Sequence, residues 1–253
     1  MKRFFLEEIK KTADGFCVIT GSEARHISKV LRMKKGDRFL LMDRIGDRYE
    51  TEIESISSSE VLVRLLRPLQ GPDSSGFEIT LCQAILKTGH MDFMIEKSSE
   101  LGVTRIMPFF SERTVVKLDH DNAANKVRRW REKAVSAAKQ SDRAVPAEIS
   151  MPGIFTDILR EWQENDSLKV ILWEKEESKD LKELLRAAAP FNHFVGLVGP
   201  EGGFSTGEVD AAAQSGFIPV SLGKRILRAE TAAMALVAVV QYEWGDLSLE
   251  GGC

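Results

Sequence analysis

The sequence predicts an α/β protein with a parallel sheet, preceded by a small domain built mostly of strands. Three observations carry this. From residue 77 onward, short apolar runs alternate with segments of helical period, the pattern of strand–helix units that build parallel sheets. Before residue 67, the runs are short, rich in β-branched residues and separated by turn residues. Between them lies "RPLQGPDSSG" (67–76), with two prolines, two glycines, two serines and no periodicity. The expected limits are a first domain over 1–70, a linker over 71–76 and a second domain over 77–253.

In the first domain, "CVIT" (17–20), "RFLLMD" (38–43), "RYETEIESI" (48–56) and "EVLVRLL" (60–66) are expected strands. Turn chemistry sits in "IGD" (45–47) and "SSS" (57–59). "SEARHISKVLRM" (22–33) is expected as one helix, with Ile27, Val30 and Leu31 on one face. This describes a small barrel-like β domain with one helix. In the second domain, "FEITLCQAIL" (77–86) is a strand and "MDFMIEKSSELG" (91–102) a helix closed by Gly102. "RIMPFF" (105–110) is a strand and 121–141 a long helix. "IFTDILREWQ" (154–163) sets Phe155, Ile158, Leu159 and Trp162 at helical spacing. "LKVILW" (168–173), "FVGLVG" (194–199) and "FIPVSL" (217–222) are buried strands. "DLKELLRAA" (180–188), "STGEVDAAAQSG" (205–216) and 229–243 are the helices that follow them.

Composition narrows the class. Hydrophobic content of 43% and charged content of 29% are those of a soluble globular chain. The start, "MKRFFLEEIKK", has too short an apolar patch for an export signal, and the longest apolar run, Ala232–Val240, is far below a membrane span. Three scattered cysteines, Cys17, Cys82 and Cys253, offer neither a disulfide framework nor metal spacing, which points to a reducing cytoplasm. His26, His90, His120 and His193 have no metal spacing either, so no metal is expected. Net charge is −3, but it is graded: +3 over 1–70, +1 over 71–160 and −7 over 161–253. A basic front half leaves room for a polyanion.

Three loops follow the carboxyl ends of expected strands: "WEKEES" after Leu172, "GPEGGFS" after Val198 and "LGKRILRAET" after Val220. Parallel sheets take ligands at that edge, so one shared pocket is expected. In the middle loop Gly199, Gly202 and Gly203 permit close backbone approach, and Pro200 fixes one φ. Ser205 and Glu208 have capping-box spacing, so the following helix already has its own anion. Glu201 would repel phosphate. The loop therefore suits a neutral or cationic ligand, unless it is a plain glycine turn. In the third loop, Arg228 stands beside a helix N-terminus, where positive charge is unfavourable. It is either neutralised in an ion pair or kept for an anionic substrate. The apolar helix after it is core or a self-association surface. Two basic tracts, 23–38 and 126–143, are either solvated helix faces or polyanion contacts.

"VGPEGGFS" followed by "LGKRILRAETA" resembles the paired cofactor-loop signatures of SPOUT-class RNA methyltransferases, and among them those that methylate N3 of a uridine in small-subunit (16S) ribosomal RNA. "MKRFF", "RHISKVLRMKKGD", "LKTGHMDFMIEKSSELGV" and "AAKQSDR" extend the resemblance over nearly the whole chain, short of the tail "SLEGGC".

The resemblance implies an N-terminal PUA-like RNA-binding barrel, a parallel-sheet domain with a trefoil knot, and a homodimer with the last helix at its interface. It implies S-adenosyl-L-methionine as cofactor. Leu172, Gly199, Gly202, Leu222, Gly223, Ile226 and Leu227 would wall the adenosyl part. Glu174, Val198, Pro200, Glu201, Gly203 and Arg228 would border it, and Thr231 and Ala232 would close it. Arg228 would hold the anionic uracil oxygens, with Gln140 and Arg143 orienting the base. Arg3, Arg25, His26, Arg32, Lys34, Lys35 and Lys87 would grip the RNA. Two other readings stand beside this one. A non-catalytic ribosome-assembly factor would bind RNA alone. A nucleotide-dependent enzyme is disfavoured by Glu201 and by the lack of a phosphate-loop signature.

Overall fold

A computed structural model describes residues 1–57, 59–69, 76–117, 120–188 and 191–247. Of the linker expected over 71–76, only Gly76 falls among them; Ser58 of the "SSS" turn and the tail 248–253 lie outside. The chain divides into two compact units, residues 1–73 with 138–146 and residues 74–137 with 147–253.

In the first unit, β1 (Arg3–Phe5), β2 (Phe16–Thr20), β3 (Arg38–Met42), β4 (Arg48–Ile56) and β5 (Glu60–Pro68) form a sheet in the order β1-β3-β4-β5-β2. β1 joins β3 in parallel and the other pairs are antiparallel. Two register shifts between β4 and β5 mark bulges, which bend a strand pair and increase its twist. Phe4, Ile19, Phe39, Leu41, Ile53, Val61 and Val63 build the core with Ile27.

The single helix expected over 22–33 is instead α1 (Gly21–Arg25) followed by a π turn over His26–Val30, closed by the Leu31 amide donating to the His26 carbonyl (2.9 Å). A π turn adds a residue to the helical repeat, so the apolar stripe slips. Ile27 stays buried, but Val30, expected on the same face, is 69% exposed.

Residues 138–146 belong to this unit through a cluster of charges. Asp142 has φ +62, and its carboxylate takes both Arg3 (3.2 Å) and the buried Arg48. Lys139 pairs with Glu23 (2.7 Å), and Arg3 also donates to the Lys139 carbonyl (3.0 Å).

In the second unit, β6 (Glu78–Ala84), β7 (Arg105–Phe110), β8 (Glu148–Ile149), β10 (Leu168–Leu172), β11 (His193–Val198) and β12 (Ile218–Val220) run in the order β12-β10-β11-β6-β7-β8, and β9 (Gly153–Ile154) also pairs with β7. Every pairing is parallel, as the alternation predicts.

Successive side chains of a strand enter opposite cores. Leu81, Ile106, Val170 and Phe194 face a core shared with α2 (Thr88–Glu100), α3 (His120–Ser141), α5 (Leu181–Ala187) and α7 (Ala229–Trp244). Cys82, Met107, Ile171 and Val195 face one shared with α4 (Phe155–Trp162) and α6 (Thr206–Gln214). Phe155, Ile158, Leu159 and Trp162 are all buried, as their spacing requires. Gly196 lets α7 close on β11, since a Cβ there would stand 2.4 Å from Leu236.

Candidate functional site

β12, β10 and β11 are adjacent and parallel, so their carboxyl ends bring residues 173–178, 199–205 and 222–231 to one edge of the sheet. The three loops expected to share a pocket therefore do share an edge. The first and third are stitched together: the Trp173 amide donates to the Val220 carbonyl (3.1 Å), and the Ser221 amide to the Lys179 carbonyl (2.9 Å).

The glycine turn is held from three sides. Gln83, fully buried at the carboxyl end of β6, donates from Nε2 to the Gly199 carbonyl (3.0 Å). Arg113, in the loop after β7, donates to the Gly202 carbonyl (3.0 Å). The Glu201 carboxylate accepts from the Lys87 amide (3.1 Å) and lies 3.5 Å from Nδ1 of His90. Burial pushes the Glu201 carboxyl up, but its own amide, the Lys87 amide and His90 outweigh this and hold it below the usual carboxylate range.

Gly203 takes φ +67, and the Glu174 carboxylate lies 3.0 Å from where its Cβ would stand. Gly199 and Pro200 are buried, with Gly199 tight against the Phe204 ring. The capping box forms as its spacing predicts: the Glu208 amide donates to Ser205 Oγ (3.2 Å) and the Ser205 amide to Glu208 Oε2 (2.9 Å). Glu208 also accepts from the Glu112 amide (2.8 Å), so this carboxylate occupies the start of α6.

The third loop is open. Gly223 has φ +102 with nothing near its Cβ position, and Ile226 is 89% exposed. Leu172, Leu222, Leu227 and Ala232 are half-buried, and Thr231 is exposed. Arg228 is the exposed N-cap of α7 and makes no side-chain hydrogen bond or ion pair among the described residues. The structural ion pair weighed for it is thus not formed among them. Two residues on, Glu230 is buried, and its Oε2 lies 3.9 Å from His90 Nδ1.

The remaining expected residues fall on both units. Arg25, Arg32 and Lys34 are exposed and carry no side-chain partner among the described residues. His26 sets its ring edge against Phe4 (5.9 Å). Lys35 pairs with Glu54 (2.8 Å), and Arg3 with Asp142. Gln140 and Arg143 belong to the first unit, on either side of the clamped Asp142; Gln140 is exposed and Arg143 half-buried. Lys87 belongs to the second unit, its side chain exposed. The basic tract on α3 is consumed internally: Arg129 by Asp92, Lys133 by Glu96 (3.4 Å) and Arg131 by the Ile149 carbonyl (3.0 Å).

Sequence reasoning missed Gln83, Arg113, His90 and Glu230. Gln83 had a signal, as the one amide in an otherwise apolar strand end. His90 was passed over because only metal spacing was sought among the histidines.

Comparison with known proteins agrees with this layout. A family model described as an RNA methyltransferase domain matches residues 73–241, and one described as an RNA methyltransferase PUA domain matches 19–66. Ribosomal RNA small subunit methyltransferase E of Buchnera aphidicola (subsp. Schizaphis graminum) is 33% identical over 91% of this chain and 92% of its own. That of Bacillus subtilis is 27% identical over 96% and 97%. The crystal structure of a ribosomal RNA small subunit methyltransferase E from Neisseria gonorrhoeae, bound to S-adenosyl methionine, superposes with a TM-score of 0.88 at 32% identity, covering 98% of this chain and 100% of the other.

Proposed function

The chain belongs to the family of ribosomal RNA small subunit methyltransferase E, and from that membership we propose that it methylates N3 of a uridine in small-subunit ribosomal RNA, using S-adenosylmethionine. The observation that carries the reading for this chain is the pairing of a braced glycine turn with an open loop bearing unpartnered Arg228, at one sheet edge.

The residues at that edge suit the cofactor. The Glu208 carboxylate fills the start of α6, where a phosphate would otherwise bind. Glu174 and Glu201 border the turn and favour a cation over a polyphosphate. Leu172, Leu222, Ile226 and Leu227 offer apolar surface for a flat base. Gly202, Gly203 and Gly223 leave backbone exposed to the cofactor, with Gly199, Val198, Pro200, Thr231 and Ala232 completing the wall. When bound, the sulfonium supplies an electrophilic methyl group and its sulfur keeps the bonding pair.

The protein's part is alignment and charge. Holding reactants in line lowers a barrier by about 7–11 kcal/mol. Arg228 stabilises the uracil anion through its oxygens, and remains protonated throughout. Gln140 and Arg143, beside the clamped Asp142, orient the base as residues of the partner subunit in the proposed dimer. Arg25, Arg32 and Lys34, with His26 beside them, give the first unit its free positive side chains for RNA, to which Arg3 and Lys35 add; Lys87 contributes a further charge from the second unit. The domain limits 1–70 and 77–253, with 138–146 packed into the first, a trefoil knot in the second, a homodimer through α7 and a cytoplasmic location complete the proposal. Exposed Val239 and Tyr242 on α7 support the dimer.

Calorimetry with S-adenosylmethionine, S-adenosylhomocysteine and ATP tests the cofactor, and primer extension on treated ribosomal RNA tests the product, since N3-methyluridine blocks base pairing. Binding of the first two without ATP, with a new stop at one uridine, is expected. RNA binding without cofactor binding would instead establish the assembly-factor alternative.

A further inference from the structure

N3 of a uridine must lose a proton before it can take a methyl group, and Arg228 cannot accept one. The acceptor must stand beside Arg228 with a lone pair free. Among the carboxylates at this edge, Glu201 is committed to the Lys87 amide, the Glu208 oxygens to the Glu112 and Ser205 amides and Glu176 to Ser178 and the Lys179 amide, while exposed Glu174 lies against Gly203 and borders the cofactor's place. His193 stands at the amino end of β11, at the other edge of the sheet.

His90 is placed differently. It lies in the first turn of α2, and its ring is wedged between the glycine turn and the start of α7. Nδ1 is buried, makes no hydrogen bond as placed, and faces two carboxylates at ion-pair distance, Glu201 Oε1 at 3.5 Å and Glu230 Oε2 at 3.9 Å. Glu230 Oε2 is itself buried with no hydrogen-bond partner, a second and independent sign that this corner is built around the imidazole. The side chain as a whole is 42% exposed, so the ring opens to solvent away from Nδ1. Carboxylates facing one ring nitrogen hold the proton there, and leave the lone pair on the other. The charged groups facing His90 are thus Glu201 from the loop after β11 and Glu230 from α7.

We propose that His90, oriented by Glu201 and Glu230, is the proton acceptor of the methyl transfer, through Nε2. This rests on the uridine-N3 reading above. The N3 proton passes to Nε2 and forms the imidazolium. The electron pair freed on N3 forms the new bond to the methyl carbon. The imidazolium then returns its proton to solvent water.

The test is single-turnover methylation of small-subunit ribosomal RNA across pH, with His90→Gln and Glu230→Gln, alongside calorimetry of S-adenosylmethionine binding and NMR of the histidine ring. His90→Gln is expected to slow transfer about 100-fold, the lower range for a positioned base, and to abolish the fall in rate at acid pH. Cofactor affinity should fall far less than the rate, since Glu201 keeps the Lys87 amide when the ring is replaced. Glu230→Gln should slow transfer less than His90→Gln does, and the NMR spectrum should show His90 protonated on Nδ1. An unaltered rate and acid limb in His90→Gln would overturn the proposal, as would a loss traced wholly to cofactor binding. No N3 methylation by the unsubstituted protein would overturn the activity itself, a separate result.

Discussion

Two loops meet at the carboxyl edge of the sheet, and they are built in opposite ways. Residues 199–203 have their polar groups taken up by the protein: Gln83 on Gly199, Lys87 and His90 on Glu201, Arg113 on Gly202. Residues 223–228 leave their charged side chains free. Lys224, Arg225 and Arg228 have no side-chain partner among the described residues, and Ile226 is almost fully exposed. The contrast separates two jobs. A braced turn keeps its shape whatever binds, so it lowers the ordering cost of binding. An unpaired cation on a helix N-terminus is tolerated only weakly by the fold, and its use lies outside the chain.

The contrast would break most visibly at Arg228. Arg228→Ala should reduce turnover about 100- to 1,000-fold, the loss seen when a group stabilising a developing anion is removed. The melting temperature should hardly move, because Arg228 caps α7 through its backbone and not its side chain. Loss of stability with turnover retained would place Arg228 with the braced residues. Gln83→Leu should do the reverse. Gly199 O would lose its buried donor, so stability should fall by about 1–3 kcal/mol in denaturant unfolding. Cofactor binding should weaken with it, and an unfolding midpoint equal to the wild type would remove Gln83 from the brace.

A smaller difference sharpens the same contrast. Arg113 and Arg225 are both exposed arginines at this edge, but only Arg113 has a carbonyl to hold. Arg113→Ala should lower stability by about 0.5–1 kcal/mol, and Arg225→Ala by less than that. Equal effects would mean that the Gly202 contact contributes nothing.

Much of this was legible in the sequence, and the limits have physical causes. β4 was read as 48–56 and found as Arg48–Ile56, because β-branched residues between turn residues have few other options. The three loops were read as neighbours because parallel strands share their carboxyl ends. The strand order was not legible, nor was the role of Gln83, because pairing between distant segments leaves no local pattern. The same holds for Asp142, whose partners Arg3 and Arg48 lie about a hundred residues away in the chain. β1, β8 and β9, of two or three residues each, are too short to carry a period. The basic tracts looked alike as sequence. α3 spends Arg129, Arg131 and Lys133 on its own neighbours, while Arg25, Arg32 and Lys34 stay free, and only the fold distinguishes them.

The finest way to separate the two loops is by acid. Glu201 is held below the ordinary carboxylate range in the fold, so its contribution to the braced turn is present above the unfolded value, about 4.3, and is lost as pH falls through the folded one. The Lys87 amide reports the contact directly, because its hydrogen bond ends on Glu201 Oε1. Its NMR shift should therefore titrate below about pH 4.3. Glu201→Gln should flatten that titration while leaving the fold intact at neutral pH. A Lys87 amide that titrates the same way in Glu201→Gln would mean that some other group answers to acid, and that Glu201 is not what ties the turn to α2.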